Sequence, residues 1–323
     1  MQASRQASNV DLNVKIGGLT LRNPVLTVSG TCGYGDEYAP FMDLARLGAF
    51  TTKSVTLKPR RGNEPPRIVE TAGGMLNAIG LANVGLERFI AEKLPILARL
   101  DVPAIVNVAG HTADEYRTVC ERLDEQDAVA GLELNVSCPN VSDGLVFGTD
   151  ADSLGRLVAA VRKVVKRSLL VVKLSPNVTD ITATARAAID AGADCLSLIN
   201  TFVGMAIDIE RQRPILANRT GGLSGPAIRP LALSLVNRVY REVAGPAKVP
   251  LIGMGGVRTW SDAVEFMLAG AAAVGIGTAM FIDPTTPIKV LEGLETYLRR
   301  HHLTSAGQLV GRLRFTRDEC PAG

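Results

Sequence analysis

Leu169-Leu-Val-Val-Lys-Leu174 is a near-continuous apolar run broken by a single lysine. A run of Leu and Val without polar alternation suits a strand buried on both faces, as in a parallel sheet covered by helices. Comparable runs occur at 25–28, 49–53, 104–108, 131–135, 195–200, 250–254 and 273–276, so that eight candidate strands punctuate the chain. Between them lie segments with helical periodicity. Thr112-Ala-Asp-Glu115 and Thr259-Trp-Ser-Asp262 have the capping-box spacing that opens a helix. Apolar stripes run through 158–165, 231–243 and 86–100, the last with Pro95 expected to kink it. Eight β-α units in one chain predict an α/β protein of the (β/α)8 type, a TIM barrel. An open doubly wound sheet is the alternative. Ahead of the barrel, Val14-Lys-Ile-Gly-Gly-Leu-Thr-Leu21 places two short runs around a Gly-Gly turn and predicts a hairpin.

Composition limits the function classes. The chain has 323 residues, 46% of them hydrophobic, enough for one large core. A net charge of +3 with acids and bases interspersed gives no nucleic-acid surface. No apolar run approaches the ~18–20 residues that span a bilayer, so no membrane association is expected. Residues 1–9 are polar and are expected to form a disordered tail, leaving 10–323 as a single domain without internal repeats. The five cysteines, Cys32, Cys120, Cys138, Cys195 and Cys320, are scattered and contain no C-x-x-C. This is a reduced, cytoplasmic pattern and predicts no metal or cluster bound by this chain.

Three strand-to-helix connections are long: about 30 residues after the second strand, about 15 after the fourth and about 25 after the sixth, against the usual ~2–6. All three belong on the C-terminal rim, where barrel enzymes build their sites. The first of them, 56–67, is too rich in proline and charge to join the core. The strand ends carry Lys53-Ser54, Asn107, Asn135, Lys173 and Asn200-Thr201. Lysines are seldom buried without a partner. Two lysines and three amides converging on one mouth therefore point to a binding site, although either lysine alone could snorkel to solvent.

Glycines make a second constellation. Gly253-Met-Gly-Gly256 and Gly275-Ile-Gly-Thr278 end the seventh and eighth strands, where barrel enzymes hold phosphate on backbone N–H groups. Gly221-Gly-Leu-Ser-Gly225 adds a third segment, read as flexible. Tight turns explain each one separately; together they favour a phosphate-bearing ligand. Within Asn135-Val-Ser-Cys-Pro-Asn140, Cys138 lies just past a strand, in a polar loop held by proline. A thiol there can act as a base near neutral pH without a histidine. Cys120 and Cys195 are expected instead to be small buried hydrophobes.

Taken in order, Thr27-Val-Ser-Gly30, Lys53-Ser54, Asn77-Ala-Ile-Gly-Leu81, Asn107, Asn135-Val-Ser-Cys-Pro-Asn140, Lys173, Asn200-Thr201, Gly255-Gly256 and Gly277-Thr278 resemble the dihydroorotate dehydrogenases, flavin enzymes of pyrimidine biosynthesis. The resemblance implies FMN at the barrel mouth, held by Ser29, Lys53, Ser54, Asn107, Asn135, Lys173, Ile199, Gly225, Gly255, Gly256, Gly277 and Thr278. It implies that dihydroorotate is held by Lys53, Asn77, Ala78, Ile79, Gly80, Leu81, Asn135, Asn140, Asn200 and Thr201. Cys138 would take the C5 proton while hydride leaves C6 for the flavin. The cysteine base and the loop 141–150 resemble the cytoplasmic, NAD-linked subtype. A homodimer of such chains joins two electron-transfer subunits that carry FAD and a [2Fe–2S] cluster, making a heterotetramer. The fumarate-linked subtype, a dihydropyrimidine dehydrogenase and a lysine Schiff-base lyase on the same barrel are the competing expectations.

Overall fold

A computed structural model of the chain describes residues 10–137 and 147–315. The expected tail 1–9, most of the loop after the fourth barrel strand, and both Cys138 and Asn140 lie outside the described residues.

The chain opens with a hairpin, β1 (Val14–Ile16) and β2 (Leu19–Leu21), paired antiparallel across Gly17, whose φ of 56° suits the turn. Eight parallel strands follow in one sheet: β3 (Val25–Thr27), β4 (Phe50–Thr51), β7 (Ala104–Val108), β8 (Val129–Asn135), β9 (Leu169–Lys173), β10 (Cys195–Leu198), β15 (Leu251–Met254) and β16 (Ala273–Ile276). Their spatial order is β3-β16-β15-β10-β9-β8-β7-β4, and a bridge between Leu26 and Ala49 joins the two ends. The sheet is therefore closed. This is the expected (β/α)8 barrel, with every barrel strand at an apolar run anticipated from sequence.

The closing seam differs from the other contacts. Between β3 and β4 there is one bridge where neighbouring strands have ladders, and side chains complete it. The Thr27 hydroxyl accepts from the N–H of Thr51 (2.8 Å) and faces its carbonyl at 3.3 Å. The Cys32 thiol donates to the same carbonyl at 3.0 Å. Burial pushes that thiol up to about 12, so it stays protonated and remains a donor.

Helices cover the barrel through apolar faces. In Ala113–Asp124, Tyr116, Val119, Cys120 and Leu123 are buried, at the spacing that brings residues onto one helical face. Thr259 and Asp262 form the full capping box of Trp260–Ala269. At Thr112 only half of the box forms: its hydroxyl caps Glu115, while the Glu115 carboxylate takes the N–H of His111 instead. Pro95 does not break its helix. A π-helical stretch, Phe89–Lys93, precedes it and re-spaces the hydrogen bonds that the proline cannot make.

The long excursions after β4 and β10 carry structure that the sequence reading missed. From the first come β5 (Ile68–Thr71) and β6 (Gly74–Asn77), and from the second β11 (Phe202–Gly204), β12 (Ile207–Asp208), β13 (Arg213–Pro214) and β14 (Gly221–Ser224). β11-β14-β6-β5 form an antiparallel sheet tying the two excursions together over the barrel mouth. The segment read as flexible, Gly221–Ser224, is a paired interior strand. Its glycines serve close approach: a Cβ on Gly222 would lie 2.1 Å from Thr201 Oγ1, and one on Gly221 would lie 2.8 Å from the Asn77 carbonyl. In the segment 56–67, Thr56 is itself buried, capped by Asn83, while the prolines and charges after it stay on the surface side as expected.

Candidate functional site

The C-terminal ends of the barrel strands bring the expected polar residues together in linked groups. Lys173, at the end of β9, is buried at 5% exposure, and its Nζ donates to Ser29 Oγ at 3.1 Å. Ser29 follows β3, so this bond crosses the barrel between distant strands. Asn135 ends β8 and accepts from Asn200 Nδ2 at 3.1 Å, while its carbonyl accepts from the Tyr116 hydroxyl at 2.6 Å. Asn200 in turn accepts the N–H of Thr201, and Asn177 donates to the Thr201 carbonyl. Asn77, on β6, donates to the Gly222 carbonyl and so belongs to the sheet that roofs the mouth. Ala78 is buried beside it, with Ile79, Gly80 and Leu81 following; Gly80 and Leu81 take positive φ, 71° and 55°.

Lys53 is half-buried just beyond β4, with its N–H on the Gly33 carbonyl. Burial lowers its pKa from the ordinary lysine value; Glu37 opposes the shift and Arg67 adds to it. A desolvated ammonium of this kind is suited to an incoming carboxylate.

The glycine clusters form a narrow cradle. Gly255 and Gly256 have φ of 127° and 82°, and Gly225 has φ of 99°. A Cβ on Gly256 would lie 2.7 Å from the Gly225 carbonyl, and one on Gly225 would lie 2.7 Å from Gly74 Cα. Ile199 packs close by, its N–H on the Met254 carbonyl. Across from them Gly277 precedes the short 3-10 turn Thr278–Phe281, and Thr278 Oγ1 donates to Ser224 Oγ at 2.9 Å. The first glycine of each cluster does a different job. Side-chain room for Phe266 and Val28 explains Gly253 and Gly275, since a Cβ there would lie 2.6 and 2.4 Å from them; Gly277 also gives Val28 room, at 2.4 Å, besides leading into the turn at Thr278. Backbone left bare in this way at adjoining strand ends fits a phosphate, and the amide-rich mouth beside it fits a flat ring with donors and acceptors at its edge.

A buried polar line below the mouth had not been anticipated. Ser54 Oγ donates to Asn107 Oδ1 (2.5 Å), Asn107 Nδ2 donates to Glu133 Oε2 (2.6 Å), and Ser197 Oγ donates to Glu133 Oε1 (2.7 Å). Glu133 lies on β8 and Ser197 on β10, with β9 between them, so both side chains point into the barrel. The signal was present in Leu132-Glu-Leu-Asn135: Glu133 and Asn135 share a face at period two.

The profile of a protein family described as "Dihydroorotate dehydrogenase" matches residues 11–298. The chain belongs to the dihydroorotate dehydrogenase family. Among its relatives, a protein of Pelobacter propionicus named "Dihydroorotate dehydrogenase B (NAD(+)), catalytic subunit" is 57% identical over 304 residues, covering 94% of this chain and 98% of the relative. Proteins with the same name from Geotalea uraniireducens and Geobacter sulfurreducens are 54% and 52% identical, with the same coverage. Within this dihydroorotate dehydrogenase family fold, no described helix is long and apolar enough to cross a membrane.

Proposed function

We propose that this chain is the catalytic subunit of a dihydroorotate dehydrogenase, oxidising (S)-dihydroorotate to orotate with FMN bound at the barrel mouth. The observation that supports this reading is that Lys53, Lys173, Asn135 and Asn200 stand at or just past the C-terminal ends of barrel strands, with Asn77 on the sheet above them and the glycine cradle beside. The shared name of the relatives supports NAD as final acceptor, with electrons leaving through a partner subunit. On this reading that partner carries FAD and a [2Fe–2S] cluster, and two copies of each chain assemble.

FMN, when bound, supplies the acceptor for the hydride that leaves C6. The chain supplies the rest. Its phosphate would rest on Gly255, Gly256, Gly277 and Thr278, with Gly225 and Ile199 alongside. Ser29, Ser54, Asn107, Asn135 and Lys173 would hold the ring, and Lys173 would place positive charge beside it. Lys53 pairs with the substrate carboxylate, a group that uracil lacks, and so selects dihydroorotate over a plain dihydropyrimidine. Asn77, Asn135, Asn140, Asn200, Thr201 and the 78–81 backbone offer donors and acceptors to the ring amides. Cys138 takes the C5 proton as hydride departs from C6. Replacement of Cys138 by alanine is expected to slow flavin reduction by dihydroorotate about 10²–10⁴-fold at neutral pH, as loss of a general base does. Stopped-flow reduction of purified Cys138→Ala at the wild-type rate would remove the base assignment.

A further inference from the structure

Glu133 is 2% exposed and takes no part in the chemistry proposed above. Both of its oxygens are occupied, by Asn107 Nδ2 and Ser197 Oγ. In both contacts the carboxylate oxygen is the acceptor. Against it the Asn107 amide has one allowed orientation, with nitrogen toward Glu133 and oxygen toward Ser54; a flip would set two acceptors face to face. The short contact from Ser54 to Asn107 Oδ1 must then use the single proton of the Ser54 hydroxyl. What remains of Ser54 Oγ is lone pairs. Glu133 thus decides, two side chains away, whether the end of this line toward the mouth donates or accepts.

We propose that Glu133 is a positioning residue: acting through Asn107, it fixes Ser54 Oγ as an acceptor for an N–H on the edge of the flavin ring. This rests on the reading that FMN occupies the mouth. Ser197 holds the second oxygen of Glu133 and has no say in the amide's orientation, so its removal should leave ligand recognition alone.

The test is FMN affinity, measured on purified protein by dialysis and flavin fluorescence, beside the thermal melt of each variant. Glu133→Gln allows Asn107 to flip and Ser54 to turn its proton outward, and is expected to weaken FMN binding about tenfold, the worth of one hydrogen bond. Adding Ser54→Ala to it should change affinity by less than about twofold, because the two act as one unit. Ser54→Ala alone should weaken FMN binding by a similar factor, since it removes the same acceptor. Ser197→Ala should bind FMN like wild type. If Glu133→Gln binds FMN as wild type does, or if its loss and that of Ser54→Ala simply add, the proposal is overturned. Should Glu133→Gln fail to fold, Ser54→Ala decides: folded with affinity lowered about tenfold supports the proposal, and folded with near-native affinity overturns it. A wild-type chain that takes up no FMN overturns both this and the flavin reading, whereas indifference to Glu133 in a flavin-loaded chain overturns this alone.

Discussion

At the barrel seam a hydroxyl takes the place of one backbone partner. Thr27 Oγ1 accepts from the Thr51 N–H and sits against its carbonyl, where a backbone pair would otherwise stand. Thr27→Val keeps the shape and deletes the polar atom, leaving a buried N–H unsatisfied. It should lower stability by about 1–3 kcal/mol, read as a shift of the urea midpoint with the slope unchanged. The same distinction between shape and polarity explains what the sequence allowed at this scale. Lys53, Asn107, Asn135, Lys173 and Asn200 stood out because polar residues ending apolar runs have few structural uses. Ser197 did not, because its partner comes from a strand far away in sequence and no local pattern announces it; Glu133 had only its period-two spacing from Asn135, and Thr27 entered only as part of the Thr27–Gly30 motif, with nothing to show its partner. Cys32 was equally silent: only its distance to the Thr51 carbonyl shows it to be a donor.

At the scale of elements, the turn leading into β9 hangs on one carboxylate. Asp124, near the end of its helix and 8% exposed, accepts the N–H groups of Lys166, Arg167 and Ser168. Burial pushes its pKa up, but the backbone N–H groups outweigh this and hold it below the ordinary carboxylate value. A depressed folded pKa means that the contribution is complete above the unfolded value, near 3.9, and fades as pH falls through the lower folded one. Asp124→Asn should therefore be less stable than wild type by about 1–3 kcal/mol at pH 7, with the gap closing below about pH 4. Urea titrations at both pH values measure it. The barrel strands were legible because continuous Val/Leu/Ile runs have one reading in a chain of this length. β14 was not, since Gly221-Gly-Leu-Ser224 lacks any β-forming side chain except Leu223, and its pairing depends on having no Cβ. Gly222→Val should leave the far-UV circular dichroism of the barrel intact while displacing Thr201. On the proposed reading, KM for dihydroorotate rises about 10–100-fold, as small misplacements of binding groups do.

For the whole molecule, the residues assigned to FMN straddle the seam. Ser29 stands beyond β3, Lys53 and Ser54 beyond β4, and Gly277 and Thr278 beyond β16, the other neighbour of β3. Bound FMN would touch all three strand ends and favour the closed barrel through its binding free energy. Hydrogen exchange in peptides spanning 23–30 and 48–56 should slow on FMN loading more than exchange in β8 and β9, whose ladders are complete without it.

The single bridge between Leu26 and Ala49 also bears on the order of assembly. Strand β3 is held on one side by that bridge alone and on the other by a ladder with β16, which joins opposite ends of the sequence and pays its loop entropy late. If β3 is the last strand to dock and the first to part, a ligand bound across its end acts after the folding barrier has been crossed. FMN would then leave the folding rate nearly untouched and lengthen the lifetime of the native chain by slowing its unfolding. The clasp, on this view, is the cofactor itself.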